Sequence, residues 1–138
     1  MKISALVQNS GGQHQVTLRT NDQVQHLAIP PKPTGPGSNV NGGELLFLAL
    51  ATCYCNDVYR EAAKRGLTVD RVEVEVEGEF GAEGEAARNV TYRARITGQA
   101  TEADLRELLR HTDRVAEIQN TLRAGVTVTL HDVEVVGL

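Results

Sequence analysis

The stretch NGGELLFLALATCYCNDVYREAAKRG, Asn41 to Gly66, reads as one long helix, and the rest of the chain must be built around it. Asn41 followed by Glu44 has the pattern of a capping box, in which the asparagine oxygen accepts from a first-turn amide and the carboxylate reaches back to the amide of residue 41. Gly66 supplies the stop. Between them Leu45 to Cys55 is apolar at every position but Thr52, and these eleven residues are about half of what a bilayer-spanning helix needs, so a core helix is expected. The half from 45 to 52 is predicted to have no solvent face, whereas Asn56 to Arg65 is amphipathic. A chain of 138 residues with two helical segments has little material to cover such a helix on all sides. Burial against a symmetry mate solves that problem, so a homodimer is expected.

Around this helix the pattern is that of strands. Ile3, Ala5 and Val7 alternate with smaller or polar neighbours, Val16 and Leu18 do so after a Gly11-Gly12 turn, and a third strand is predicted over Val24 to Ile29. Residues Pro30 to Val40 hold all four prolines of the chain and can be neither central strand nor helix. Such a long irregular loop, leading straight into the helix, is more often functional than a connector. Further on, Val72, Val74 and Val76 alternate with Glu73, Glu75 and Glu77, and Val90, Tyr92, Ala94 and Ile96 alternate with Thr91, Arg93 and Arg95. Paired around a turn at Gly81 to Ala87, these segments form an antiparallel hairpin with glutamates opposite arginines. Thr101 opens a second helical stretch carrying Leu105, Leu108, Leu109, Val115, Ile118 and Leu122, with a break expected near Asp113 and an end at Gly125. Val126, Val128 and Leu130 predict a closing strand running toward Val135. The expected architecture is α+β, in the order βββ-α-ββ-α-β, as a single domain over residues 1–138.

Charge and composition narrow the function classes. The formal charge is -4, the pI is near 5.5, and basic residues are scattered, so the footprint of a nucleic-acid binder is missing. The first residues, MKISALVQNS, lack the apolar segment and cleavage site of a secretory signal, which predicts a cytoplasmic location with reduced thiols. His14, His26, His111 and His131 show no metal-ligand spacing, so no metal is expected. Gly35 and Gly37 do not open a strand-to-helix turn, so no nucleotide cofactor is expected either.

The two cysteines, Cys53 and Cys55, both lie on the long helix. Two residues apart, their side chains diverge by about 200° and cannot form a disulfide in an intact helix. Each can be a small buried hydrophobe, or one of them can line a pocket and react, which requires a lowered pKa or a nearby base. Glu44 lies nine residues before Cys53 on the opposite side of the helix, about 13 Å along the axis, so it cannot serve that thiol within one chain. Across a two-fold axis, the helix start of one subunit can approach the middle of the other. Helix capping alone also accounts for Glu44. Tyr54 and Tyr59, flanking the cysteines, are expected to pack.

The segment Glu44-Leu-Leu-Phe-Leu-Ala-Leu-Ala-Thr-Cys53, the Lys64-Arg65-Gly66 helix end and the order of elements resemble the OsmC-like family, which includes the organic hydroperoxide resistance proteins. The resemblance implies an intertwined homodimer with long central helices and active sites at the subunit interface. It also implies a peroxidatic cysteine that attacks the peroxide, a resolving cysteine, and an assisting arginine-glutamate pair. Cys53 matches the peroxidatic cysteine and Glu44 the interface glutamate. Ala116 stands where the resolving cysteine belongs, with Glu117 in place of the following proline, and Lys32 is the only basic residue offered where the arginine belongs. Possible site-lining residues are therefore Lys32, Cys55, Ala116 and His111. Two functions remain open. One is thiol-dependent reduction of organic hydroperoxides through Cys53, with an external thiol as reductant. The other is a non-catalytic dimer that binds a small hydrophobic ligand.

Overall fold

The computed structural model describes residues 1–138, which divide into two compact units, Met1–Leu46 and Phe47–Leu138. In the first unit, β1 (Ile3–Ser10), β2 (Gln13–Thr20) and β3 (Gln23–His26) form an antiparallel sheet in the order β1-β2-β3. Gly11 and Gly12 have φ of 54° and 75°, left-handed values that glycine adopts without steric cost, and they close the first turn. The third strand ends at His26, short of the predicted Ile29, whose side chain is buried in the loop that follows. The proline-rich loop folds on itself: Pro31 bridges Ser38, the Lys32 amide donates to Gly37 O (3.0 Å), and the Asn39 amide donates to Pro30 O (3.0 Å).

Helix α1 (Gly42–Lys64) starts with the predicted capping box. The Glu44 amide donates to Asn41 Oδ1 at 2.8 Å and the Asn41 amide donates to Glu44 Oε1 at 3.0 Å. It ends at Gly66, whose φ of 65° lets the Leu67 amide fold back onto Ala62 O at 2.9 Å. Within the single chain, burial along α1 is concentrated in its second half. Leu48, in the apolar half, is 55% exposed, while the residues buried within the chain are Leu50, Tyr54, Asp57, Val58, Glu61 and Ala62. The second half carries the amphipathic stripe, and that stripe is what packs in the chain by itself.

In the second unit, β4 (Val69–Glu79) and β5 (Arg88–Gly98) pair antiparallel in the predicted sense: Glu73 faces Arg95, Glu75 faces Arg93, and Val72, Val74 and Val76 face Ile96, Ala94 and Tyr92. Arg93 Nη2 meets Glu75 Oε1 at 3.1 Å on the solvent face, where water screens the pair. The opposite face packs on a core of Tyr54, Val58, Ala62, Leu108 and Ala116. The rings of Tyr54 and Tyr92 meet edge to face at 4.9 Å, but Tyr59, expected to pack, is exposed.

The second helical stretch is two helices, α2 (Glu102–Val115) and α3 (Glu117–Ala124). Thr101 caps the first by accepting from the Asp104 amide at 3.1 Å. The break falls at Ala116 rather than Asp113, because Ala116 is extended (φ -71°, ψ 116°) and fully buried in the core. Residues 126–138 form no strand, so the predicted closing β element is absent and the order is βββ-α-ββ-αα. Alternation gives a segment one apolar face but does not provide a sheet edge to receive it, and Val126, Val128, Leu130, Val133 and Val135 are all exposed.

Candidate functional site

Cys53, Asp57, Arg60, Glu61 and Lys64 recur at helical spacing and share one side of α1. The fully buried Ala116 turns the chain so that Glu117 becomes the first residue of α3 and meets this side of the helix. Gln119 ties α3 down, its Nε2 donating to Leu50 O at 3.0 Å. The Cys53 thiol, partly buried, donates to Asp57 Oδ2 at 3.5 Å and lies 3.8 Å from Glu117 Oε2.

Arg60 organises the carboxylates. Its Nη1 contacts Asp57 Oδ1 and Glu117 Oε1, each at 2.9 Å, which leaves the second oxygen of each carboxylate facing the sulfur. Arg60 Nε meets Glu61 Oε2 at 2.9 Å, and Glu61 also receives Lys64 Nζ and His111 Nε2, both at 2.9 Å. The Lys64, Arg60 and His111 contacts hold the Glu61 carboxyl down to about 2. Burial pushes the Cys53 thiol up, and the negative charges of Asp57 and Glu117 add to this, while the Ile118 backbone N–H opposes it. Burial, then the neighbouring Glu117, raises Asp57 against the opposing pull of Arg60, whereas its hydrogen bond with Asp57 lowers Glu117. The two carboxyls therefore titrate as an interacting pair, with Asp57 the weaker acid of the two.

Cys53 Sγ and one oxygen each of Asp57 and Glu117 lie within 4.8 Å of one another, a spacing that one cation could bridge. Arg60 pairs with both carboxylates, so the cluster is an ion-paired thiol site. Chemically, it offers a protonated nucleophile with a carboxyl group positioned to move its proton.

The other predicted residues are placed differently. Cys55 turns to the opposite side, lining a shallow cleft of about 260 Å³ with Ala51, Thr52, Asn56 and Val74. His111 belongs to the Glu61 end of the cluster and does not touch the sulfur. Ala116 is sealed in the core and makes its contribution through the backbone. Glu44 is engaged in its cap, and Lys32, in the proline-rich loop, makes no ion pair; its side chain lies along Gly37. Lys32 is the residue expected in the place of the family arginine, yet the guanidinium that pairs with the carboxylates around Cys53 comes from Arg60 on the same helix. Asp57, Arg60 and Glu61 went unnoticed in the sequence, although their offsets of four, seven and eight from Cys53 were a readable signal.

Residues 35–131, well over half of the chain, match the family model described as OsmC-like protein. The chain belongs to the OsmC-like protein family. Solved structures agree at the level of fold. An OsmC-like protein from Mycoplasma pneumoniae superposes with a TM-score of 0.62 at 19% identity, over 90% of this chain and 87% of that one. An organic hydroperoxide resistance protein from Elizabethkingia anophelis gives 0.60 at 16% identity, over 91% and 90%. The uncharacterized protein YmaD of Bacillus subtilis is 31% identical over 62 residues, 45% of this chain and 41% of YmaD, so the match spans about two fifths of that relative's length. No helix of this OsmC-like protein is long and apolar enough to cross a membrane.

Proposed function

We propose that this OsmC-like protein reduces organic hydroperoxides through Cys53, as a cytoplasmic homodimer serving oxidative stress protection. The observation that carries the reading is the Cys53 thiol in contact with Asp57 and Glu117, both oriented by Arg60. Sulfur attacks the distal peroxide oxygen, the O–O bond breaks, an alcohol leaves, and Cys53 becomes a sulfenic acid. With Ala116 in the resolving position, an external thiol condenses with the sulfenic acid and releases water, and a second thiol restores Cys53 as an external disulfide. A homodimer is supported by the exposed apolar half of α1 around Leu48 and by the exposed valines of the C-terminal segment. In such a dimer the partner's helix start brings a second Glu44 toward the site. Stopped-flow reduction of an organic hydroperoxide tests the proposal: the wild type turns over, and Cys53→Ser does not. Equal rates for the two proteins would overturn it.

One observation favours a second reading, a dimer that binds a small hydrophobic ligand without catalysis: Ala116, standing where a resolving cysteine belongs, is sealed in the core, and burial pushes the Cys53 thiol up. Under that reading an apolar ligand raises the melting temperature, while Cys53 is lost to peroxide no faster than an ordinary exposed thiol.

A further inference from the structure

From the geometry we infer that Asp57 is a catalytic residue, the group that takes the proton from the Cys53 thiol and delivers it to the departing alcohol. This inference rests on the hydroperoxide reading above and adds a role for a residue outside the Glu44/Cys53 pair.

Asp57 is only 6% exposed and sits one helical turn from Cys53, with Oδ2 as the acceptor of the thiol at 3.5 Å. Its other oxygen is held by Arg60 Nη1 at 2.9 Å, so the carboxyl cannot rotate freely and presents one oxygen to the sulfur. The same Arg60 nitrogen binds Glu117, which therefore stands beside Asp57. The charged groups around Asp57 are thus Cys53 and Arg60 from α1 and Glu117 from α3, with Glu61, Lys64 and His111 on the far side of Arg60. An alkoxide is a poor leaving group, and a thiol kept protonated by burial is a poor nucleophile. One carboxyl against the sulfur corrects both faults in sequence: it accepts the thiol proton as the S–O bond forms and returns it to the alkoxide oxygen as the O–O bond breaks. The proton count closes, since thiol and hydroperoxide become sulfenic acid and alcohol, and Asp57 ends as it began.

The test compares three reagents on wild type and Asp57→Asn, both also carrying Cys55→Ser. With tert-butyl hydroperoxide, whose alkoxide needs a proton, the variant is expected to lose on the order of 100-fold in rate, and the carboxyl limb of the pH profile disappears. With peracetic acid, which releases a stable carboxylate, the loss shrinks to roughly tenfold or less, because only the base role is missing. With iodoacetamide at a pH high enough to ionise Cys53, the two proteins differ by no more than about threefold. The ratio between the two peroxides remains informative even where the substitution loosens the fold, since a general defect slows both alike. Equal losses with both peroxides, or an unimpaired variant, would overturn the role of Asp57 while leaving an active wild type. A wild type inert to every peroxide would overturn the hydroperoxide reading itself, and this inference with it.

Discussion

Replacing Glu117 with Gln should make Cys53 more reactive at neutral pH, by an amount that follows from the geometry. Glu117 Oε2 lies 3.8 Å from the sulfur, and the Glu117 side chain is 63% exposed, so the dielectric that screens it is close to that of water. Two unit charges at that distance in water repel by about 1 kcal/mol, which corresponds to about a fivefold change in thiolate fraction. A thiolate that forms more readily is intrinsically less nucleophilic, and this offset reduces the net gain to about two- to threefold. The assay is iodoacetamide alkylation in a Cys55→Ser background, followed from pH 4 to pH 10. The variant should be faster where the thiol is mostly protonated, and its advantage should narrow as pH rises toward the raised pKa of the thiol. Because the Glu117 carboxyl is held low, its charge is present throughout the neutral range, and the advantage fades only as acid protonates it. High salt should also reduce the advantage. An unchanged or lower rate at neutral pH would refute the reasoning that this carboxylate holds the thiol in its protonated form.

Two stability predictions follow from other parts of the second unit. A Cβ on Gly98 would lie 2.7 Å from Thr68 O, a backbone atom with little freedom to move, so Gly98→Ala should destabilise by about 1–3 kcal/mol in urea unfolding, and a shift of less than about 0.5 kcal/mol would contradict the packing. The folded-state pKa of Glu61 is depressed from 4.5 to about 2, so its contribution is present above its ordinary titration range and is lost as pH falls toward 2. Glu61→Gln should therefore flatten the acid limb of urea midpoints between those values, and an acid limb unchanged by the substitution would assign it to other carboxyls.

Much of the framework was legible because each signal was local. The capping box at Asn41 and Glu44, the stop at Gly66 and the valine-glutamate alternation of β4 depend only on neighbours along the chain, and each is formed as expected. The divergence of Cys53 and Cys55 was likewise a matter of helical angle. Local signals failed where the outcome depended on what a segment packs against. The alternation at Val126 to Val135 was real but formed no strand.

What the sequence determined by itself was the helix that carries the thiol and the angular position of each residue on it, because backbone periodicity is set by covalent geometry and short-range hydrogen bonds. What only the tertiary structure decided was the environment of that thiol. Glu117 is sixty-four residues from Cys53 and reaches it through the buried turn at Ala116, and Arg60 then draws Asp57 and Glu117 into one cluster. The charge state of a sulfur depends on distances across space, and those distances exist only once α3 has docked on α1.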